Sequence, residues 1–306
     1  PMRTIMGPLV TLWLVWGSTY MGIGLMVKSM PPLLGSGSRF ITASLVLGSM
    51  VLLVKGPAAF NVTWAQVRGA ATMGVTILGF SIGILSLALR YVPSGIAALI
   101  VSAMPLWIIF FRVRGGDRPS RLTLVGVGVG LLGLVLMLLP GGTAPVNGAS
   151  GSQVALWSVA IAFGSFSWAF FSFRSTRIEQ PKEPLTTAVI ELLAAGVFLC
   201  IVGALIGERW DFGAITQQSW AGWGYLVLAS ATAYGAFVWL LNNAPMSLLA
   251  TYAYVNPVVA VFLGFVILNE VVTSDVIVGL SIVVGGVVLV VSGERRTRLK
   301  LNEQPQ

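Results

Sequence analysis

The chain has no histidine, one cysteine and few charges: 9% of its 306 residues are Asp, Glu, Lys or Arg. An ordinary soluble domain carries roughly 25%. Without histidine there is no Ser-His hydrolase, no histidine proton shuttle, and neither the usual zinc ligand nor the usual haem ligand. Cys200, alone, makes no intrachain disulfide. A Walker-type lysine loop is also missing, so this chain uses no ATP. What is abundant is apolar: 56% of residues are hydrophobic and the mean hydropathy is +0.91. That balance excludes a soluble globular protein.

A hydrocarbon core of about 30 Å takes about 20 apolar residues in helical form. Ten such stretches are predicted, at 7–27, 32–54, 66–89, 93–111, 122–139, 153–173, 185–206, 221–241, 245–268 and 274–292. They run without the alternation of barrel strands, and an open strand would leave backbone groups unpaired in lipid. The expected class is an all-α polytopic membrane protein. The first stretch reads as a retained helix, because no small-residue cleavage site follows a short apolar core.

Of the 18 basic residues, 14 fall on the side of the termini, among them Arg3, Lys55, Arg68, Arg118, Arg121, Arg174, Lys182 and the run Arg295 to Lys300. Lys28, Arg90 and Arg209 fall on the other side, and Arg39 lies inside a span. The positive-inside rule then places both termini in the cytoplasm. The net charge of +8 reports topology in the inner membrane rather than nucleic-acid binding. The expected partners are the lipid bilayer and a small-molecule substrate, with no cofactor, no metal and no catalytic residue; monomer and dimer both remain open.

Shifting the chain by 152 residues lays Trp16 on Trp168, Pro93 on Pro245, Ala98 on Ala250 and Pro105 on Pro257. A shift of 153 lays Val125-Gly126 on Val278-Gly279 and Gly133 on Gly286. Residues 1–141 and 153–306 therefore read as two five-helix repeats joined by the uncharged loop 142–152. Five is odd, so the second repeat is inverted, and inverted repeats build secondary transporters that alternate between two openings.

Trp16-Gly17-Ser18-Thr19, Arg39-Phe40, Pro93, Pro105 and Asn269-Glu270 resemble the EamA group of the drug/metabolite transporter superfamily, along nearly the whole chain. The resemblance implies ten helices in two inverted repeats and export of a small metabolite, most often an amino acid. Within the group the chain looks like aromatic and general amino acid exporters of the YddG type. Drug, nucleotide-sugar and purine carriers, with or without proton coupling, are the alternative. The first helix carries no acid, unlike the small multidrug pumps of the superfamily. An enzyme is not expected, since Glu191 is the only acid clearly inside a span.

Each proline of the pair Pro105 and Pro257 lies 12 residues into its span, near mid-bilayer, where it frees the carbonyl four residues earlier. Such a carbonyl is tolerated where it lines a cavity or is bonded by a neighbour, so the prolines read as paired hinges. The candidate substrate-binding residues are the polar and aromatic side chains on these and adjacent helices: Trp16, Tyr20, Phe80, Ser81, Ser102, Met104, Trp107, Trp168, Tyr234, Trp239, Tyr252, Tyr254 and Asn256. They would bind amphipathic cargo by stacking and hydrogen bonding. Trp64, Trp210, Trp220 and Trp223 read instead as an interfacial belt. Arg39 and Glu191, related by the 152 shift, are the intramembrane charges. Snorkelling, pairing, a carboxylate anchor at Arg39 and a proton carrier at Glu191 all fit. Spans five and ten are Gly-rich and nearly devoid of polar groups, so they read as packing or dimer-facing helices.

The orientation is testable by cysteine labelling in a Cys200→Ala background. Lys28→Cys should react with a membrane-impermeant maleimide on cells whose inner membrane is sealed, and Arg118→Cys only after permeabilisation; the reverse pattern would invert the topology.

Overall fold

Apolar runs with no water to bond their backbone fold as helices. The computed structural model describes residues 2–116, 119–138, 148–174, 177–243 and 252–302, and these form ten helical segments. In order they are α1 (Met2–Met26), α2 (Pro32–Lys55), α3 (Trp64–Met73) running through a π-helical turn (Gly74–Gly79) into α4 (Phe80–Ala88), and α5 (Ser94–Ser102) with α6 (Met104–Arg114). There follow α7 (Arg121–Leu138), α8 (Gly151–Arg174), α9 (Pro184–Leu205), α10 (Gln217–Asn243), α11 (Tyr252–Leu268) and α12 (Ser274–Asn302). Among the described residues, five of these segments are both long and apolar enough to cross a membrane on their own.

The third segment starts at a capping box, in which Thr63 Oγ1 accepts from the Gln66 amide and the Gln66 side chain accepts from the Thr63 amide. Its π-helical turn has no proline to announce it. The fourth segment breaks at Ala103, and Pro105 opens the first turn of α6, where its missing N–H costs no helical bond. The matching Pro257 lies inside an unbroken α11. There the Asn256 amide nitrogen, turned to donate, reaches the carbonyls of Trp13 at 3.2 Å and Tyr252 at 3.3 Å. The two prolines thus sit in different backbones although their sequence positions match.

The two inverted repeats meet along paired antiparallel helices. In α2 and α9, Gly37 and Gly196 face each other so closely that a Cβ on either would lie 2.8 Å from the other's carbonyl oxygen. The repeat offset turns that contact into Ser44 against Val189, and there Ser44 Oγ donates to the Val189 carbonyl at 2.8 Å. In α7 and α12, a Cβ on Gly286 would lie 2.5 Å from the Gly130 nitrogen. This is the packing of spans five and ten, made within the chain.

Carboxylates close the helix N-termini at the end where Met30 lies. The Leu33 and Leu34 amides donate to Glu208, and the Ser94 amide and hydroxyl together with the Gly95 amide donate to Glu270. Each cap comes from the repeat opposite to the helix it caps, and an acid placed there meets both orphan donors and the positive end of the helix dipole. Burial pushes the Glu270 carboxyl up in pKa, while its bonds to Ser94 and Gly95 and the charge of Lys28 pull it down. At the same end Ser29 bonds Ser219 at 2.8 Å, and Met26, Met30 and Val92 are fully buried. Trp223 departs from the belt reading: it is half-buried and its Nε1 donates to Ser38 Oγ at 3.0 Å, tying α10 to α2. Position near a helix end says nothing about which way a ring faces.

Adjacent glycines on α12 separate close packing from helix propensity. A methyl group on Gly285 would have nothing within 4 Å, whereas one on Gly286 would meet backbone. Gly286→Ala should destabilise the purified protein by about 1–3 kcal/mol and Gly285→Ala should be neutral or slightly stabilising. Thermal unfolding in detergent reads the difference; equal melting shifts would mean that α7 and α12 do not approach as described.

Candidate functional site

A cavity lies where the two repeats face one another, with about 990 Å³ of empty space counted out to its mouth. Helices α1, α2, α4, α5 and α6 and the π-helical turn line it from the first repeat, and α8, α10 and α11 from the second. Three pairs in its wall are related by the repeat offset. Trp16 faces in with Trp168, Leu78 with Ser230, and Met104 with Asn256. The cavity therefore straddles the pseudo-symmetry axis of the fold.

Its aromatic side is held by Trp16 and Tyr252, whose rings meet edge to face at 5.1 Å, with Tyr20 beside them in the wall. The hydroxyls are spoken for as donors. Thr19 Oγ1 donates to the Trp16 carbonyl at 2.6 Å, Ser81 Oγ to Gly164 at 2.8 Å and Ser230 Oγ to Leu226 at 2.8 Å. Each keeps acceptor capacity toward the cavity. At the break in the fourth segment, Val101 lines the cavity and Ser165 Oγ comes to 3.5 Å from its carbonyl, in the last turn of α5. Arg39 reaches in from α2, where Nη1 donates to Ser230 Oγ at 3.3 Å and the guanidinium carbon stands 4.2 Å from the Phe40 ring centre.

Of the residues picked out in the sequence, Trp16, Tyr20, Ser81, Met104, Trp168, Tyr252, Asn256 and Arg39 line this cavity. Phe80 does not: it is partly exposed on the outside of the bundle, edge-on to Phe163 at 5.9 Å. Its neighbour Ser81 takes the inward position, because consecutive helical residues point about 100° apart. Ser102 is buried between helices and donates to the Ala98 carbonyl at 2.7 Å. Trp107 packs on Phe166 at 5.5 Å, beyond the cavity wall. Glu191 is off the cavity as well. Its backbone lies against Gly74 in the π-helical turn, and it forms no ion pair with Arg39. The side chains of Tyr234, Trp239, Tyr254 and Pro105 lie outside the described residues.

Sequence reasoning passed over Ser230 and the apolar lining at Ile23, Leu78, Ile82, Leu85 and Ile161. For Ser230 a signal existed: it stands at the repeat offset from Leu78, one helical turn from Ser81, so the wall of one repeat points to the wall of the other.

The EamA-like transporter family model matches the chain twice, over residues 6–139 and 155–292. The chain belongs to the EamA-like transporter family. It is 36% identical to the inner membrane transporter YedA of Escherichia coli over 293 residues, covering 95% of this chain and 91% of that one. It is 28% identical to the threonine/homoserine exporter RhtA of Escherichia coli over 286 residues, covering 90% and 88%. A solved crystal structure of a protein 19% identical in sequence superimposes with a TM-score of 0.66, covering 96% of this chain and 99% of that one, so the fold is shared. The chain is a multi-span membrane transporter of this family.

Water access distinguishes the cavity wall from the helix seams. In a Cys200→Ala background, Ser165→Cys, on the wall, should react with a small charged methanethiosulfonate at least about tenfold faster than Ser86→Cys, which is buried against Ser36. Equal rates would mean that the cavity is closed to water.

Proposed function

We propose that this member of the EamA-like family exports amino acids across the inner membrane by alternating access, as a facilitator or exchanger, with both termini in the cytoplasm. The observation that carries the reading is the cavity, which lies between the two inverted repeats and takes its lining from both. A site of that kind is exposed to one side and then the other as the repeats rock. Its mixture of aromatic faces, hydroxyls and the Asn256 amide suits an amphipathic solute, and the likeness to a threonine/homoserine exporter supports an amino acid. Trp16, Trp168, Tyr20 and Tyr252 favour a range that extends to aromatic side chains, the range of exporters of the YddG type. Among the described residues no acid lines the cavity and Glu191 lies off it; both points support transport without proton carriage through that residue. In this reading residues 1–141 and 153–306 are the moving halves. Pro105, where the helix is already broken, and Pro257 are the hinges.

Counterflow tests the proposal. Purified protein in vesicles preloaded with unlabelled phenylalanine, threonine or leucine, with no ion gradient, should take up the labelled form of the same amino acid. Pro105→Ala should slow that exchange by about tenfold while the protein stays folded. Absence of protein-dependent exchange for all three amino acids would overturn the reading, and an unchanged rate in Pro105→Ala would remove the hinge.

A further inference from the structure

Arg39 is 3% exposed, within a span, on the wall of the cavity. A guanidinium has five N–H donors in a fixed fork and stays protonated. Here one bond goes to Ser230, and Nε is buried with no hydrogen-bond partner. The ion pair among the described residues, Lys55 with Glu183 at 2.7 Å, lies elsewhere, and no Asp or Glu stands among the cavity-lining residues. The Phe40 ring face offsets part of the charge. A guanidinium this little exposed has no counter-charge beside it among the described residues, and a neutral serine does not supply one. The repeat offset sharpens the point: the equivalent position holds Glu191, which is not among the cavity-lining residues and forms no ion pair with Arg39. The cavity is thus built with one fixed positive charge and no negative one among its described residues.

We propose that Arg39 is the anchor for a carboxylate on the transported solute, and that the site selects carboxylate-bearing solutes over neutral or cationic analogues of the same shape. This rests on the transport reading above and names the chemistry of the recognised group. Arg39 presents its fork to the carboxylate, the geometry that makes such pairs strong and directional. Ser230 holds the guanidinium in place. The rings of Trp16, Trp168 and Tyr252 receive the rest of the solute, including the ammonium of a zwitterion, by cation–π contact. A solute whose net charge is positive meets Arg39 with nothing to balance it, which excludes organic cations.

The test uses the full-length protein in nanodiscs, with binding read by tryptophan fluorescence and thermal shift. The probes are phenylalanine, 3-phenylpropanoate, phenylalaninamide and phenethylamine. Wild type should bind the two carboxylates at least about tenfold tighter than the amide and the amine. In Arg39→Gln that preference should fall below about twofold, and Arg39→Lys should be intermediate, because an ammonium keeps the charge and loses the fork. Wild-type binding that does not distinguish acid from amide overturns the proposal, and that reading needs no variant to fold. Retention of the full preference in a folded Arg39→Gln overturns it equally. If no amino acid exchanges in vesicles yet 3-phenylpropanoate binds through Arg39, the amino acid reading fails and the anchor stands. If amino acids exchange and the amide competes as well as the acid, the anchor fails and the transport reading stands.

Discussion

In hydrocarbon a polar group without a partner has no water to turn to, and the rest of this structure depends on how that demand is met. Within each helix the backbone meets it alone. At helix ends and breaks it cannot, and there the partner comes from the opposite repeat. Glu208 and Glu270 supply acceptors to the first amides of α2 and α5 from the opposite repeat. Ser165 approaches the Val101 carbonyl in the last turn of α5, again across the repeat boundary. The bonds that complete one half of the molecule therefore belong to the other half. An association of this kind holds the halves together.

Helix association in lipid draws little from the hydrophobic effect, since the tails are as apolar as the side chains. Close backbone approach takes its place. Gly37 against Gly196 and Gly130 against Gly286 bring the paired helices of the two repeats near enough for dispersion contacts between main chains. These seams lie at positions that the pseudo-symmetry relates to themselves, which leaves the cavity on the same axis with three matched pairs in its lining. Trp16 and Trp168 match in kind, while the other two pairs match in place and differ in chemistry: Met104 with Asn256, Leu78 with Ser230. Most telling is Arg39, which lines the cavity, against its counterpart Glu191, which does not.

The sequence pattern was sufficient for the helices because a span is set by length and apolarity, both local properties. It was sufficient for the inverted arrangement because an odd number of spans per repeat leaves no alternative. Arg39, Trp16 and Trp168 stood out as polar or aromatic groups at depth. Facing was harder. Phe80 and Ser81 are neighbours in the chain and point to opposite environments. Trp223, near a helix end, turns inward to Ser38 rather than outward to lipid.

What the sequence determined by itself is the class of molecule, the repeat and the small set of groups too costly to leave in lipid, because each follows from composition and period along the chain. What only the tertiary structure decided is which of those groups share a cavity. A transmembrane helix that is apolar on every side carries no stripe to say which face turns inward. That rotation is fixed by where glycines admit a neighbouring backbone and where a serine or a carboxylate finds a partner across the interface.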